Sequence, residues 1–132
     1  MPRFKKERGK RSGFELEVEA VLQKKYKRVA YEQEYLEYVV PEKVQRYLPD
    51  FIISKGRKTI YFESKGRFTA ADRKKLLLVK ESHPKLDLRL LFQADNWLTK
   101  KHKSRYSDWA RKHGFAFHVW NLKTNKFEPD LP

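Results

Sequence analysis

The chain has 132 residues and a formal net charge of +14, so it is long enough for one domain with a modest core and too short for two. That charge indicates a polyanionic partner, which nucleic acid fits best, and no apolar run reaches membrane-spanning length, so we predict no membrane partner. Cysteine is absent, which excludes disulfides, thiolate zinc sites and cysteine nucleophiles and agrees with a reducing, cytoplasmic location.

The first eleven residues are strongly basic and carry almost nothing to bury. We predict a mobile basic arm over residues 1–11, followed by a single domain over residues 12–132. Such an arm could follow a phosphate backbone, and the alternative is a solvated tail. Its basic residues are Arg3, Lys5, Lys6, Arg8, Lys10 and Arg11.

The first helix is predicted to begin after Ser12. Ser12 and Glu15 have the spacing of a capping box, so the helical start alone explains Glu15. An apolar stripe at helical spacing predicts one buried face, made of Phe14, Val18, Val21 and Leu22.

The segment Val29–Val40 has strand character and predicts one strand, or two separated by a bend. Pro41–Arg46 is polar. It fits a turn, and it fits equally an extended crossover between two subunits.

The segment Tyr47–Gly66 predicts a β-hairpin around which the chain is organised. Phe51–Ile53 is a short apolar strand, Ser54–Lys58 contains a glycine and predicts the loop, and Thr59–Lys65 is rich in β-branched and aromatic residues. Pro49 has no amide hydrogen, so it belongs before the first strand or at a sheet edge.

Alternation along the second strand places Glu63 and Lys65 on one face, with Ile60 and Phe62 marking the core on the other. The hairpin can bring Asp50 near Glu63 and Lys65. Two carboxylates and an ammonium at a sheet edge suit the binding of a hard divalent cation and phosphodiester cleavage. The alternative is a surface ion pair of little energetic value. Pro-Asp, a hairpin and Glu-x-Lys together resemble the signature of the PD-(D/E)xK nuclease superfamily.

After the hairpin the pattern predicts a helix and a buried strand. Thr69 and Asp72 form a second capping box, and the helix Ala70–Ser82 ends before a proline. Asp72 also begins an acid-x-Lys triplet, but a carboxylate in a first helical turn is ordinary. Leu86–Phe92 predicts a buried strand, and strand, helix and strand in that order predict a crossover unit and a mixed sheet.

The remaining chain predicts a polar loop over Ala94–Ser104, a short helix over Arg105–His113, a last strand over Ala116–Trp120 and a tail over Leu122–Pro132. The four histidines lack metal-ligand spacing. We expect basic residues beyond the arm to contact DNA backbones rather than bases. They are Arg67, Arg73, Lys74, Lys75, Lys100, Lys101, Lys103 and Arg105.

Six segments in order resemble the phage endonuclease I family, which are Holliday-junction resolvases of the nuclease superfamily named above. They are Arg11–Glu15 (RSGFE), Leu48–Phe51 (LPDF), Phe62–Gly66 (FESKG), Asp72–Lys75 (DRKK), His83–Arg89 (HPKLDLR) and Lys112–Gly114 (KHG). The resemblance implies an α/β fold with a mixed central β-sheet flanked by helices, a restriction-endonuclease-like nuclease core. It also implies a domain-swapped dimer, with the crossover around Val39–Leu48.

The resemblance further implies roles for single residues. Glu15 is the acid from the first helix, Asp50 and Glu63 are metal-binding carboxylates, Lys65 is the motif lysine, and the carbonyl of Ser64 is an extra metal ligand. All-oxygen ligands suit Mg²⁺ or Mn²⁺, and we expect two ions per active site.

One family residue is missing from the pattern. Where the family has a glutamate before a Tyr-Glu pair, this chain has Ala30. Either that glutamate is dispensable or Glu32 or Glu34 takes its place.

The resemblance therefore implies a metal-dependent, structure-selective DNA endonuclease that resolves four-way (Holliday) junctions and other branched DNA by phosphodiester hydrolysis. Its partners would be branched double-stranded DNA and a second copy of the chain, with no small-molecule cofactor. If the protein is encoded by a phage, the host cytoplasm is its expected location. The alternatives are a homing, restriction-type or transposon-end nuclease on the same fold, and a non-enzymatic basic nucleic-acid-binding module.

Overall fold

The structure is a computed structural model that describes residues 12–40 and 43–132. The predicted basic arm, with its six basic side chains, lies outside the described residues. The described part contains α1 (Gly13–Lys25), β1 (Val29–Tyr31), β2 (Leu36–Val40), β3 (Lys43–Tyr47), β4 (Phe51–Lys55), β5 (Lys58–Lys65), α2 (Ala70–Ser82), β6 (Leu88–Phe92), α3 (Tyr106–Lys112), β7 (Ala116–Asn121) and β8 (Lys126–Glu128).

The centre of the fold is a six-stranded mixed sheet in the order β1-β4-β5-β6-β7-β8. Its strands β5, β6 and β7 run parallel, and the remaining neighbours pair antiparallel. The connection from β5 through α2 to β6 is the crossover unit that the order of elements predicts, because parallel neighbours need a long connection. The predicted mixed central sheet with flanking helices is confirmed. No helix within residues 12–40 and 43–132 is long and apolar enough to cross a membrane.

Helix α1 begins as its capping box predicts. The backbone N–H of Glu15 donates to the Ser12 hydroxyl, and the backbone N–H of Ser12 donates to Glu15 Oε1, both over 3.1 Å. Phe14, Val18 and Leu22 are buried and Val21 is half-buried. This face packs on Phe51, Ile53, Ile60 and Phe62 of the sheet. The helix is thereby fixed over the β4–β5 hairpin.

The β4–β5 hairpin is tighter than the sequence predicts. Lys55 pairs directly with Lys58, so the turn is two residues and not the predicted loop over Ser54–Lys58. Gly56, the first turn residue, has φ 61, a left-handed conformation that glycine adopts without steric cost. Pro49 precedes β4, as its missing amide hydrogen requires.

Both faces of the sheet are covered, which differs from the single core side expected from Ile60 and Phe62. Those two side chains pack under α1, and Tyr61 is buried on the opposite face. There it joins a second cluster with Leu76 and Val79 of α2. Near-continuous burial along β5 is usual where helices cover both faces.

The region before the hairpin forms two strands in different sheets, the second of the alternatives that the pattern allowed. Tyr31 ends β1, and Glu32 at the bend has φ 48. Of the two alternatives left open for Pro41–Arg46, a turn does not describe residues 43–46, which belong to β3, and residues 41–42 lie outside the described part. Strand β3 pairs with β2 of the same chain because this hairpin buries Tyr38 and Tyr47 against the α2 side of the core.

The end of the chain is more than the predicted tail. Strand β8 pairs with β7 and buries Phe127 in the α1-side core. Residues 122–125 form the turn that joins β7 to β8, and Asn125 has φ 55. A three-residue strand with one buried side chain leaves too little periodicity to be read from sequence.

Candidate active site

A small, mostly polar cavity of about 250 Å³ lies where β5 ends. The structure brings five predicted site residues together there, since Glu15, Asp50, Glu63, Ser64 and Lys65 all line it. Arg67, predicted to contact DNA, lines it as well. Asp50 comes from the entry to β4, and α1 contributes Glu15. The cavity therefore collects side chains from three neighbouring elements.

The Asp50 carboxylate is fixed from one side by Ser64. The backbone N–H and the hydroxyl of Ser64 both donate to Asp50 Oδ2, each over 2.9 Å. Burial, followed by the neighbouring carboxylates of Glu63 and Glu15, raises the pKa of Asp50 although the two hydrogen bonds act in the opposite direction. Negative charge is thus concentrated in a site that water solvates poorly.

Two further carboxylates converge on this aspartate, which makes a cluster of three. One oxygen each from Glu15, Glu32 and Asp50 lies within 4.8 Å of the others. Glu32 is buried, and its backbone N–H donates to the Asp50 carbonyl over 2.9 Å. Its left-handed φ of 48 is uncommon for a residue other than glycine, so the surrounding contacts must stabilise the bend. Glu15 also accepts a hydrogen bond of 3.1 Å from the Tyr31 hydroxyl.

The two glutamates that the sequence left open after Ala30 occupy different places. Glu32 joins the carboxylate cluster. Glu34 is exposed and accepts a hydrogen bond of 3.1 Å from the Tyr61 hydroxyl. The bend at Glu32, which ends β1, is the reason that a residue two positions after Ala30 reaches the site.

Glu63 is buried on the opposite side of β5 from Ser64 and has a partner on each oxygen. The Tyr47 hydroxyl donates to Oε1 over 2.6 Å, and Lys65 Nζ lies 3.2 Å from Oε2. Burial, and after it the Glu63 carboxylate, raises the pKa of Tyr47 well above its ordinary value, so the phenol keeps its proton and remains a donor.

Lys65 lies between two carboxylates. Its Nζ is 3.2 Å from Glu63 Oε2 and 3.2 Å from Asp72 Oδ1. Burial by itself lowers the pKa of Lys65, but Glu63 and Asp72 outweigh it and the pKa is raised. The side chain is therefore an ammonium at neutral pH, suited to electrostatic stabilisation and unsuited to accepting a proton.

Asp72 has a contact that sequence reasoning missed. Its capping box is confirmed, with Thr69 N–H donating to Oδ2 over 3.0 Å. Its other oxygen contacts Lys65, because only residues 66–69 separate β5 from α2. The available signal was this short connection, which places the first turn of α2 next to the end of β5.

Within the described part, the predicted DNA-contacting residues other than Arg67 fall into two groups. Lys74 and Lys75 on α2 are exposed, while Arg73 donates to the Phe68 carbonyl over 2.7 Å. The second group is in the loop after β6, where the exposed side chains are Lys100, Lys101, Lys103 and Arg105. The loop starts beside the cavity, since Gln93 N–H donates to the Lys65 carbonyl over 3.0 Å.

Contacts around Trp97 link several side chains of this loop. The Arg105 guanidinium lies 4.0 Å from the centre of the Trp97 ring, and the His102 ring stacks on it at 5.0 Å. At the base of the loop the N–H and hydroxyl of Ser107 donate to the Asp95 carboxylate over 2.9 and 2.5 Å. These contacts pack part of the loop that carries the basic side chains.

Comparison with known proteins gives matches along most of the chain. A family model described as phage endonuclease I matches residues 2–125. The chain is 41% identical over 108 residues to Endodeoxyribonuclease 1 of Enterobacteria phage T3. The matched stretch covers 81% of this chain and 69% of that protein. It is 38% identical over 108 residues to Endonuclease I of Escherichia phage T7, covering 81% of this chain and 70% of that protein.

Proposed function

The chain belongs to the phage endonuclease I family, and from that premise we propose that it is a metal-dependent endodeoxyribonuclease that cuts branched DNA, four-way junctions above all. One observation carries the proposal: buried carboxylates and a lysine ammonium converge at the sheet edge where the basic loop begins. The mixed sheet with its covering helices would be a restriction-endonuclease-like core.

The side chains present fit a hard divalent cation. Glu15, Glu32 and Asp50 offer oxygens within 4.8 Å of one another, a donor set that suits Mg²⁺ or Mn²⁺ better than zinc. Bound there, such an ion would neutralise phosphate charge and make a water molecule more acidic. Asp50, Glu63 and the Ser64 carbonyl would hold a second ion beside it.

The Ser64 carbonyl supports that assignment by its direction. In an antiparallel pair, a residue whose N–H faces the neighbouring strand directs its C=O toward the same neighbour. The Ser64 N–H donates to Asp50, so its carbonyl faces the Asp50 side as well. Asp50 precedes β4, so no ladder partner is expected at that carbonyl.

Lys65 would act as a fixed positive charge. An ammonium held between Glu63 and Asp72 can donate to a phosphate oxygen and stabilise the negative charge that develops on the phosphoryl group. Hydrolysis would leave a 5′-phosphate. Glu15 and Asp50, which lie together in the cluster, would orient the attacking water.

Glu32 would replace the family glutamate that is missing at Ala30. Its place in the carboxylate cluster supports this role, and the contact between Glu34 and Tyr61 leaves Glu34 less suited to it. Glu32 reaches the cluster because the backbone bends directly after β1.

DNA would be held by its phosphates. The basic loop after β6, the first turns of α2, Arg67 and the residues of the arm would contact backbones on the duplex arms. Contacts of this kind select shape rather than sequence, and a junction offers bent arms that linear DNA adopts only at an energetic cost.

Two active sites are needed to cut two strands across a junction, so we propose a homodimer. In the single chain, Val39 and Val44 face each other across the β2–β3 pair and are 55% and 62% exposed. An apolar cross-strand pair in water supports contact with a second copy through this hairpin. Exchange of the hairpin between copies is the swapped form of that contact.

The decisive experiment incubates the protein with a synthetic four-way junction and with a matched linear duplex, in Mg²⁺ and in EDTA. We expect paired cuts in the junction that require Mg²⁺. Equal cutting of linear DNA at fixed sequences would indicate a sequence-specific nuclease on this fold. Binding without any cutting would indicate a non-enzymatic binding module.

A further inference from the structure

We infer that Tyr47 and Asp72 are positioning residues that hold Glu63 and Lys65 in their working arrangement. The inference rests on the proposed function, in which Lys65 acts on the scissile phosphate. Four side chains form a continuous chain of contacts: Tyr47 to Glu63, Glu63 to Lys65 and Lys65 to Asp72, at 2.6, 3.2 and 3.2 Å. The chain runs from β3 through β5 to the start of α2.

Tyr47 fixes one end of this chain. Its side chain is 3% exposed and packs in the core between the β2–β3 hairpin and α2, so the ring has little freedom. Its hydroxyl donates to Glu63 Oε1 while Lys65 contacts Oε2. With both oxygens engaged, rotation of the Glu63 carboxylate breaks at least one contact. The plane of the carboxylate, and with it the place of the ammonium, is therefore set by Tyr47.

Asp72 fixes the other end. One of its oxygens accepts from the Thr69 N–H and so belongs to the cap of α2, and the other contacts Lys65. The Asp72 N–H in turn donates to the Thr69 hydroxyl over 3.1 Å. Because the cap and the helix are rigid, the ammonium is tied to a fixed point of the scaffold rather than to a second flexible side chain.

Elsewhere in the protein, two residues are close structural counterparts of Tyr47 and Asp72 but have no contact with the site. Asp108 is the capping-box carboxylate of α3 and accepts from the Arg105 N–H over 2.8 Å, while its other oxygen contacts Arg111. Tyr26 is a buried tyrosine whose hydroxyl donates to the Pro132 carbonyl. Substitutions at Asp108 and Tyr26 therefore measure the cost of losing a cap or a buried phenol alone.

The test compares Tyr47→Phe with Tyr26→Phe and Asp72→Asn with Asp108→Asn. Three quantities are measured: kcat on a four-way junction in Mg²⁺, junction Kd in EDTA, and Tm. We expect kcat to fall about 10- to 100-fold in Tyr47→Phe and Asp72→Asn, a typical loss for residues that orient an active-site group. Junction Kd should stay at the wild-type value, and Tm should change no more than in the matched control.

Two results would overturn the inference. One is a kcat within about twofold of wild type in both variants. The other is a loss of kcat that the matched controls reproduce, or that accompanies an equal loss of junction affinity. Wild-type protein that fails to cut any DNA would overturn the proposed function instead, so the two failures are distinguishable.

Discussion

Ser64 donates two hydrogen bonds to a single oxygen of Asp50, one from its backbone N–H and one from its hydroxyl, each over 2.9 Å. The contact joins the end of β5 to the residue before β4 and fixes the carboxylate beside Glu15 and Glu63. The protein thus keeps an aspartate buried among other carboxylates, an arrangement that costs stability unless a cation joins it.

The first prediction concerns that cost. Asp50→Asn keeps an oxygen that can accept from Ser64 and removes the charge. Because burial and the carboxylates of Glu63 and Glu15 raise the pKa of Asp50 in the folded state, folding disfavours the charged form of this side chain, and stability falls as the pH rises above the pKa of Asp50 in the unfolded chain. We expect Asp50→Asn to have a higher Tm than wild type in EDTA and to have lost cleavage. A lower Tm in EDTA would contradict this.

The second prediction concerns the third carboxylate of the cluster. If Glu32 helps hold the cation, Mg²⁺ should raise the Tm of wild type, because a ligand that binds only the folded state stabilises it. We expect Glu32→Gln to need about 10- to 100-fold more Mg²⁺ for half of that rise, the usual range for losing a group that supports a metal site. Glu34→Gln, which leaves the cluster intact, is the control and should titrate as wild type does.

The third prediction concerns the basic loop after β6. Lys100→Ala/Lys101→Ala should weaken junction binding and reduce the slope of log K against log salt by about two, since each phosphate contact releases a counterion. The control is Lys123→Ala/Lys126→Ala, which removes the same charge from the β7–β8 hairpin. Equal slopes for the two double variants would show that net charge, and not the loop, governs binding.

The fourth prediction concerns Trp97, whose ring carries Arg105 and His102 on its surface. Trp97→Ala removes no charge. We still expect it to weaken junction binding, because the ring on which the Arg105 guanidinium packs would be lost. At saturating DNA, kcat should be unchanged. Leu122→Ala, at an exposed residue of the β7–β8 turn, serves as the control. If Trp97→Ala binds the junction with wild-type affinity, the packing of the loop around Trp97 has no part in binding.

The fifth prediction is a pH dependence of stability arising at His118. Arg89 only donates, so the ring nitrogen 3.4 Å from it must accept, and the other nitrogen donates to the Pro129 carbonyl over 2.6 Å. The imidazole is therefore neutral. Burial, assisted by Arg89, lowers its pKa below the ordinary 6.5 although the hydrogen bond to Pro129 acts the other way.

The sign follows from proton uptake. Between the lowered pKa and about 6.5, the unfolded chain binds a proton at residue 118 that the folded protein does not, so stability falls as the pH drops through this window. We expect the Tm of wild type to fall between pH 7 and pH 5, and His118→Gln to lose part of that fall. His113→Gln should retain it. Parallel curves for wild type and His118→Gln would refute the assignment.

Sequence reasoning succeeded where the determining contacts are local. The capping boxes of Ser12 and Thr69 and the glycine of the β4–β5 turn act within a few residues, so their spacing alone predicts them. It failed for β3 and β8, whose pairing depends on distant partners. It also assigned Asp72 only to its helix cap, because the contact with Lys65 depends on how α2 packs on the sheet.

The helices, the hairpin, the strand-helix-strand order and the charge types available for a site can all be predicted from the order of the residues, because they follow from periodicity and short-range hydrogen bonding. The set of carboxylates that lie together depends instead on how the elements pack. A bend at Glu32 and the packing of α1 over the hairpin bring Glu15, Glu32 and Asp50 together. Buried packing on both faces of β5 places Tyr47 and Asp72 against Glu63 and Lys65. These contacts depend on how whole helices and strands are placed relative to one another, and no local sequence pattern encodes that placement.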